Sequence, residues 1–196
     1  MRLRQTLTAL RALIIFTLVL GIGYPLVITG IGQLALGAQA NGSLITSDGQ
    51  TVGSALIGQS FTDKDGNALP QWFQSRPSAA GAGYDGGASS GSNFGPENPK
   101  LVTAIGDRQS AIAKDDGVTI GQIPADAVTA SASGLDPHIS PAYARLQVAR
   151  VAAARGIPEQ KVSDLVESMI QQRDLGYLGE PTVNVLQLNI ALAKLG

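Results

Sequence analysis

The sequence predicts an α+β domain carried on a single N-terminal transmembrane helix. Three observations predict it. Residues 12–36 form an uncharged apolar run long enough to cross a bilayer. The remainder mixes short strand-like runs with amphipathic helical ones. Helices outnumber strands there and no regular βαβ repeat appears, which argues against an α/β sheet.

The chain has 196 residues, which suits one domain plus an appendage. It has no cysteine and one histidine. Disulfides, a thiol nucleophile and a thiolate metal site are therefore excluded, and a structural zinc site lacks its four ligands. A formal charge of −1 gives no basic face for nucleic acid. With aromatics at 5%, the core must come from Ala, Val, Leu and Ile.

Arg2, Arg4 and Arg11 precede the run ALIIFTLVLGIGYPLVITGIGQLAL, and no charged residue follows until Asp48. In lipid such a run must be helical, because no water is present to bond its peptide groups. Arginines on one flank only place the N-terminus in the cytoplasm. The expected layout is a cytoplasmic tail over 1–11, a membrane helix over 12–36 and an extracytoplasmic domain over 37–196. Ala38-Gln39-Ala40 resembles a signal-peptidase site, but the apolar run exceeds a signal h-region and favours a retained anchor. Pro25 is expected to kink the helix, or to sit against a neighbour that satisfies the freed carbonyl. Gly21, Gly23 and Gly30, with Gly32, leave flat patches for a second helix. Setting the three N-terminal arginines aside leaves 11 of the 14 basic groups against all 15 acidic ones, about −4 for the outer domain. That weak field is compatible with cation handling and no more.

Along the outer domain, Asn41-Gly42 and Asp48-Gly49 punctuate short apolar runs and predict strands at 43–46 and 51–57. Residues 62–70 read as a polar turn, and Trp72-Phe73 as a core or edge anchor. Residues 78–99 form a long loop rich in glycine and serine. Asn98 as N-cap and Pro99 as first helical residue open a helix closed by Lys114-Asp115-Asp116-Gly117, with Leu101, Val102, Ile105 and Ile112 near one face. A short strand is expected at 118–120, then an extended segment over 121–139. Ser140 caps a further helix, through YARLQVARVAAAR to Gly156. Another starts near Pro158, with Val162, Leu165, Val166, Met169 and Ile170 on one face. The final EPTVNVLQLNIALAKL fits either period and leans to helix.

Motifs for independent chemistry are incomplete. Gly86 to Gly91 has the glycine spacing of a phosphate loop without its lysine. Asp63-Lys64-Asp65-Gly66-Asn67 lacks the glycine and the bidentate glutamate of a calcium loop, and the threonine of a phosphorylated-aspartate motif; it reads as a surface turn. Ser89, Ser90 or Ser92 with His138 and Asp136 supplies the residue types of a serine hydrolase, but no G-x-S-x-G elbow exposes a nucleophile. Between Pro137 and Pro141, His138 is better suited to hydrogen bonding near a helix start. Asn41-Gly42-Ser43 fits a glycosylation sequon and also an ordinary turn.

Several stretches resemble, in order, the C subunit of the bacterial Kdp potassium-transporting ATPase. They are the N-terminal span with Gly-x-Gly-Tyr-Pro, FQSRPSAAG, YDGGASSGSNFGPENPKL, IPADAVTASASGLDPHISPAYARLQVARVAAARGI and GEPTVNVLQLNIAL. The resemblance implies a non-catalytic accessory subunit with one membrane helix and an external domain. Its partners would be a channel-like potassium-selecting subunit and a P-type ATPase subunit, with room for a small membrane subunit beside them. It would hold no tightly bound cofactor; ATP and potassium are handled by the complex. In the family the subunit serves assembly and has been proposed to raise ATP affinity as a catalytic chaperone. A tail of about eleven residues cannot build a packed nucleotide site, so such an effect would travel through the membrane helix or through stabilising the complex.

On this reading the 78–99 loop covers the outer mouth of the channel-like subunit. Phe94 would anchor it, Asn93, Glu97 and Asn98 would bond partner backbone, and Arg76 would meet a partner carboxylate. Ser90, Asp136 and His138 complete the expected interface; Gly21, Gly23, Pro25 and Gly30 are the expected helix-packing positions. Against this, the loop can pack on its own domain and Asn98 can simply cap its helix. The competing functions are a membrane-anchored external serine hydrolase built on Ser90 and His138, and a cleaved soluble binding protein.

Overall fold

A computed structural model describes residues 2–195. The chain divides into two compact units, Met1–Leu44 and Ile45–Gly196.

The first unit holds one helix, Leu3–Ala35, long and apolar enough to cross a membrane. It comprises α1 (Arg2–Phe16), a π-helical stretch Thr17–Gly23 and α2 (Tyr24–Ala35). The widening has a local cause. Pro25 has no N–H, and its ring would strike the Gly21 carbonyl in an α-helix. Opening to i→i+5 bonds relieves that clash, and the Tyr24 N–H donates to the Val19 carbonyl. A π-helical stretch thus accommodates the proline within the chain's own helix. Gly21, Gly23 and Gly30 are exposed, and a methyl group at each would meet nothing closer than ordinary contact distance. The Ala38-Gln39-Ala40 triad lies in the short helix α3 (Gly37–Ala40).

The second unit opens within β1 (Leu44–Ser47), which forms a hairpin with β2 (Gln50–Ser54). Asp48 and Gly49 both have positive φ, the tight turn that suits a right-twisted hairpin. β2 stops at Ser54, short of the expected 57, because the Ser54 hydroxyl accepts the Leu56 N–H and bends the chain. Residues 63–67 close on themselves: the Asp63 carboxylate accepts the N–H groups of Asp65 and Asn67 at 2.9 Å and the Asn67 side chain at 3.0 Å. Its oxygens serve the loop's own amides, as in a surface turn.

Next comes α4 (Pro99–Asp116), with Asn98 Oδ1 accepting the Lys100 N–H and Gly117 in the left-handed region. The strand expected at 118–120 does not form. Ile120–Gln122 makes a 3-10 turn instead, because the N–H and hydroxyl of Thr119 both donate to Gln122 Oε1 at 2.9 Å. The one-turn helix α5 (Ala125–Val128) follows. The 121–139 segment ends in β3 (His138–Ile139), which pairs antiparallel with β4 (Val183–Asn184).

The helix capped by Ser140 is two helices, α6 (Pro141–Leu146) and α7 (Val148–Arg155), ending at left-handed Gly156. The break falls at Gln147, whose buried side chain is committed elsewhere. Then come α8 (Glu159–Ser168) and α9 (Val185–Ala193); Asn184 caps the latter through the Gln187 N–H, so the final segment is helical as expected. Phe73, Ile139, Tyr143, Val151, Val162, Val166, Val183, Leu188 and Leu192 form the core. Fully burying one such aliphatic side chain contributes about 1.5–3 kcal/mol. Trp72 packs at its edge, 6.3 Å from the Phe61 ring and under the Arg155 guanidinium at 4.3 Å.

The segment carrying Phe73 runs through this core and, among the described residues, pairs with no strand. Two side-chain amides replace one. Asn189 Oδ1 accepts the Phe73 N–H at 2.9 Å and its Nδ2 donates to the Phe73 carbonyl at 3.0 Å. Gln147 does the same for Gln74, at 2.6 and 3.2 Å. Buried peptide groups need such partners.

Candidate functional site

The segment carrying Phe73 delivers Arg76 to the polar node of the domain. Arg76 Nη1 donates to Asp136 Oδ2 at 3.0 Å, and the pair is about a quarter exposed. The other Asp136 oxygen accepts the His138 N–H at 2.9 Å and lies 3.5 Å from His138 Nδ1. Burial pushes the Asp136 carboxyl up, but the bonds from His138 and the charge of Arg76 outweigh it and hold the group below its ordinary value. The node is the Asx-type turn of Asp136-Pro137-His138, fixed because β3 must pair with β4 immediately afterwards. Two residues on, the Asp126 carboxylate accepts both the N–H and the hydroxyl of Ser140, at 2.7 and 2.9 Å.

The glycine- and serine-rich loop is laid over this node. Tyr84 donates its hydroxyl to the Arg76 carbonyl at 2.8 Å, and burial pushes its ionisation up to about 12. The Ser78 hydroxyl donates to the Gly134 carbonyl at 2.6 Å and accepts the N–H groups of Ala80 and Tyr84. The Ser90 N–H and the Ser89 hydroxyl both reach the Ser133 carbonyl at 3.0 Å. Gly134 is required there: its φ is +67°, and a Cβ would stand 2.6 Å from Ala80 N and Ser90 O.

The expected site residues therefore separate into two groups. Arg76, Asp136 and His138 form one intramolecular cluster, so Arg76 meets Asp136 of its own domain. Ser90 lies at the near end of the loop, where its hydroxyl donates to the Gly91 carbonyl at 3.1 Å. Among the described residues no hydrogen bond joins Ser90 to His138. Asn93, Phe94 and Glu97 are exposed, Asn93 in the left-handed region and Phe94 at 41%. Asn98 caps α4. The described residues contain no cluster of three or more His, Asp and Glu arranged to hold a metal ion.

Sequence reasoning missed Tyr84, Ser78, Gln147 and Asn189. Gln147 and Asn189 left a signal. Each is a carboxamide on an otherwise apolar helical face, beside Tyr143 and Val151 in one case and Val185 and Leu192 in the other. A buried amide on such a face implies a backbone to bond. Ser78 and Tyr84 left none, since a loop of small polar residues has no period.

A family model described as "KdpC: K+-transporting ATPase, c chain" matches residues 6–194. A potassium-transporting ATPase KdpC subunit of Kineococcus radiotolerans is 53% identical over 97% of this chain and 93% of its own length. KdpC subunits of Caulobacter vibrioides (55% identical, over 94% and 90%) and Mycobacterium bovis (51%, over 98% and 99%) are similarly close. Among the described residues one span is long and apolar enough, with its flanking arginines on the N-terminal side, so the chain crosses the membrane once with its N-terminus cytoplasmic and the folded domain outside. Matched from the membrane helix to the last turn of α9, this chain belongs to the KdpC family, the c chain of K+-transporting ATPase.

Proposed function

We propose that this chain is the non-catalytic accessory subunit of an ATP-driven potassium uptake complex. Family membership over nearly the whole chain carries the reading. The relatives' own name, potassium-transporting ATPase KdpC subunit, supports the assignment of cargo and energy source. Its partners are the channel-like potassium-binding subunit and the P-type catalytic subunit, with a small membrane subunit beside the helix. Residues 1–11 form the cytoplasmic tail, 12–36 the span and 37–196 the external domain. The exposed tip 93–97 of the long loop, with Phe94 as anchor, faces the channel-like subunit. Gly21, Gly23, Pro25 and Gly30 meet a partner helix within the membrane. The remainder of the loop, with Arg76, Ser90, Asp136 and His138, supports the tip from behind.

Any gain in ATP affinity is transmitted through the membrane helix or through stabilising the complex. Purification of the tagged full-length chain in mild detergent from potassium-starved cells tests the assignment. Co-purifying channel-like and P-type ATPase chains are expected; a chain that comes alone would overturn it. The transmitted effect is tested separately. The apparent KM for ATP of the complex should rise when this subunit is removed, and an unchanged KM would remove the chaperone role while leaving assembly.

A further inference from the structure

Two adjoining clefts, of about 320 and 370 Å³, open beside α4. Arg108 of α4 lines both, with Thr62, Gly66 and Gln74. Four other arginines of the domain have a carboxylate partner: Arg76 with Asp136, Arg145 with Glu167, Arg150 with Asp116 and Arg173 with Glu180. Arg155 covers the Trp72 ring. Arg108 is partly buried and, among the described residues, makes no ion pair. Its one hydrogen bond there runs from Nη1 to the Val128 carbonyl at 2.8 Å. That bond orients the guanidinium without compensating its charge, and a partly desolvated, uncompensated cation favours an anion beside it.

Ser60 and Thr62 also line the smaller cleft. The Ser60 and Thr62 hydroxyls lie 2.8 Å apart and bond each other. Two hydroxyls sharing one hydrogen bond leave the second proton available to solvent or a ligand. The other polar groups are occupied: the Gln74 amide serves the carbonyls of Phe61, Leu69 and Trp72, and the Tyr84 hydroxyl that of Arg76. The smaller cleft has both Arg76 and Arg108 in its lining and no carboxylate. Asp115 and Asp116 line only the larger one, where Arg150 holds Asp116 at 2.7 Å.

We infer that the smaller cleft binds a diffusible small oxyanion, a phosphate or a carboxylate. Arg108 supplies the charge and the Ser60–Thr62 pair supplies a hydroxyl donor. The site is independent of the subunit assignment, because every group in it belongs to the external domain.

The test uses the full-length chain in detergent, with inorganic phosphate as the probe and ³¹P line broadening as the readout. Saturable, millimolar binding is expected for the unmodified chain and for Lys161→Gln, which removes an exposed charge elsewhere. Arg108→Gln should weaken it at least about tenfold, as loss of a charge-assisted contact does. Arg108→Lys keeps the charge and should retain most of the binding. Ser60→Ala with Thr62→Val should weaken it about threefold or more, which keeps the inference testable if Arg108→Gln fails to fold. Displacement of phosphate by acetate would extend the ligand class to carboxylates, and its absence would confine it to phosphates. Non-saturable broadening, or equal affinity in Arg108→Gln, would overturn the site. So would a variant that binds phosphate normally but no longer recovers the partner subunits, since the cleft would then belong to a protein contact.

Discussion

Asn189, on the last helix, brackets the peptide of Phe73 through both its amide nitrogen and its carbonyl oxygen, at 3.0 and 2.9 Å. Both residues are buried, at 2% and 0% exposure. Replacing Asn189 by Leu keeps most of the volume but leaves a buried N–H and a buried C=O unpaired. Each orphaned group costs about 1–3 kcal/mol, so Asn189→Leu should destabilise the external domain by about 2–6 kcal/mol. Thermal unfolding followed by Trp72, the only tryptophan, reads the loss. A change below about 0.5 kcal/mol would show that the segment is held by packing alone.

The Arg76–Asp136–His138 node makes a pH prediction of definite sign. The Asp136 carboxyl is held below its ordinary value in the folded chain. Its contribution to stability is therefore present above the unfolded carboxylate pKa and is lost as pH falls through the lower folded value. Unfolding scans stepped down through the acid range should show a loss of stability that Asp136→Asn reduces. An identical pH slope in the variant would assign the loss to other carboxylates.

Gly134 is where the loop meets the rest of the domain. Alanine there combines a left-handed backbone with a Cβ 2.6 Å from Ala80 N and Ser90 O. Gly134→Ala should destabilise by about 2 kcal/mol or more. It should also raise the rate of limited proteolysis within 84–97, because the contacts at Ser78 and Ser90 depend on that close approach. Unaltered protease resistance would mean that the loop is anchored elsewhere.

Phe94 offers a separable test of the partner reading. Its side chain is 41% exposed, so Phe94→Ala should change the stability of the isolated chain by no more than about 0.5 kcal/mol. An aromatic anchor at an interface contributes about 1–2 kcal/mol or more, and recovery of the complex should fall accordingly. Full recovery with normal transport would leave the tip without a role in docking.

The helices of the domain were legible because their ends carry local chemistry. Asn98-Pro99 with Gly117, and Ser140-Pro141 with Gly156, mark starts and stops that need no tertiary information. The node was not legible. Arg76 and Asp136 stand 60 residues apart, and charge alone does not choose between an internal carboxylate and a partner's. The two-residue strands His138–Ile139 and Val183–Asn184 are too short to show a period. Gln147 breaks a run that reads as one helix, because its value lies in a contact with Gln74, 73 positions earlier. Arg108 is in sequence one more charge on α4, and only three dimensions show that, among the described residues, it has no carboxylate partner.

The bracket between Phe73 and Asn189 spans 116 residues, and that separation dictates an order of events during export. A chain threaded outward from its N-terminal anchor delivers Phe73 early and α9 last. Until α9 has emerged, the Phe73 peptide groups have no Asn189 amide to pair with. Closing contacts of such long sequence separation makes folding slow and late. The Phe73 bracket therefore closes only once Asn189 has crossed the membrane.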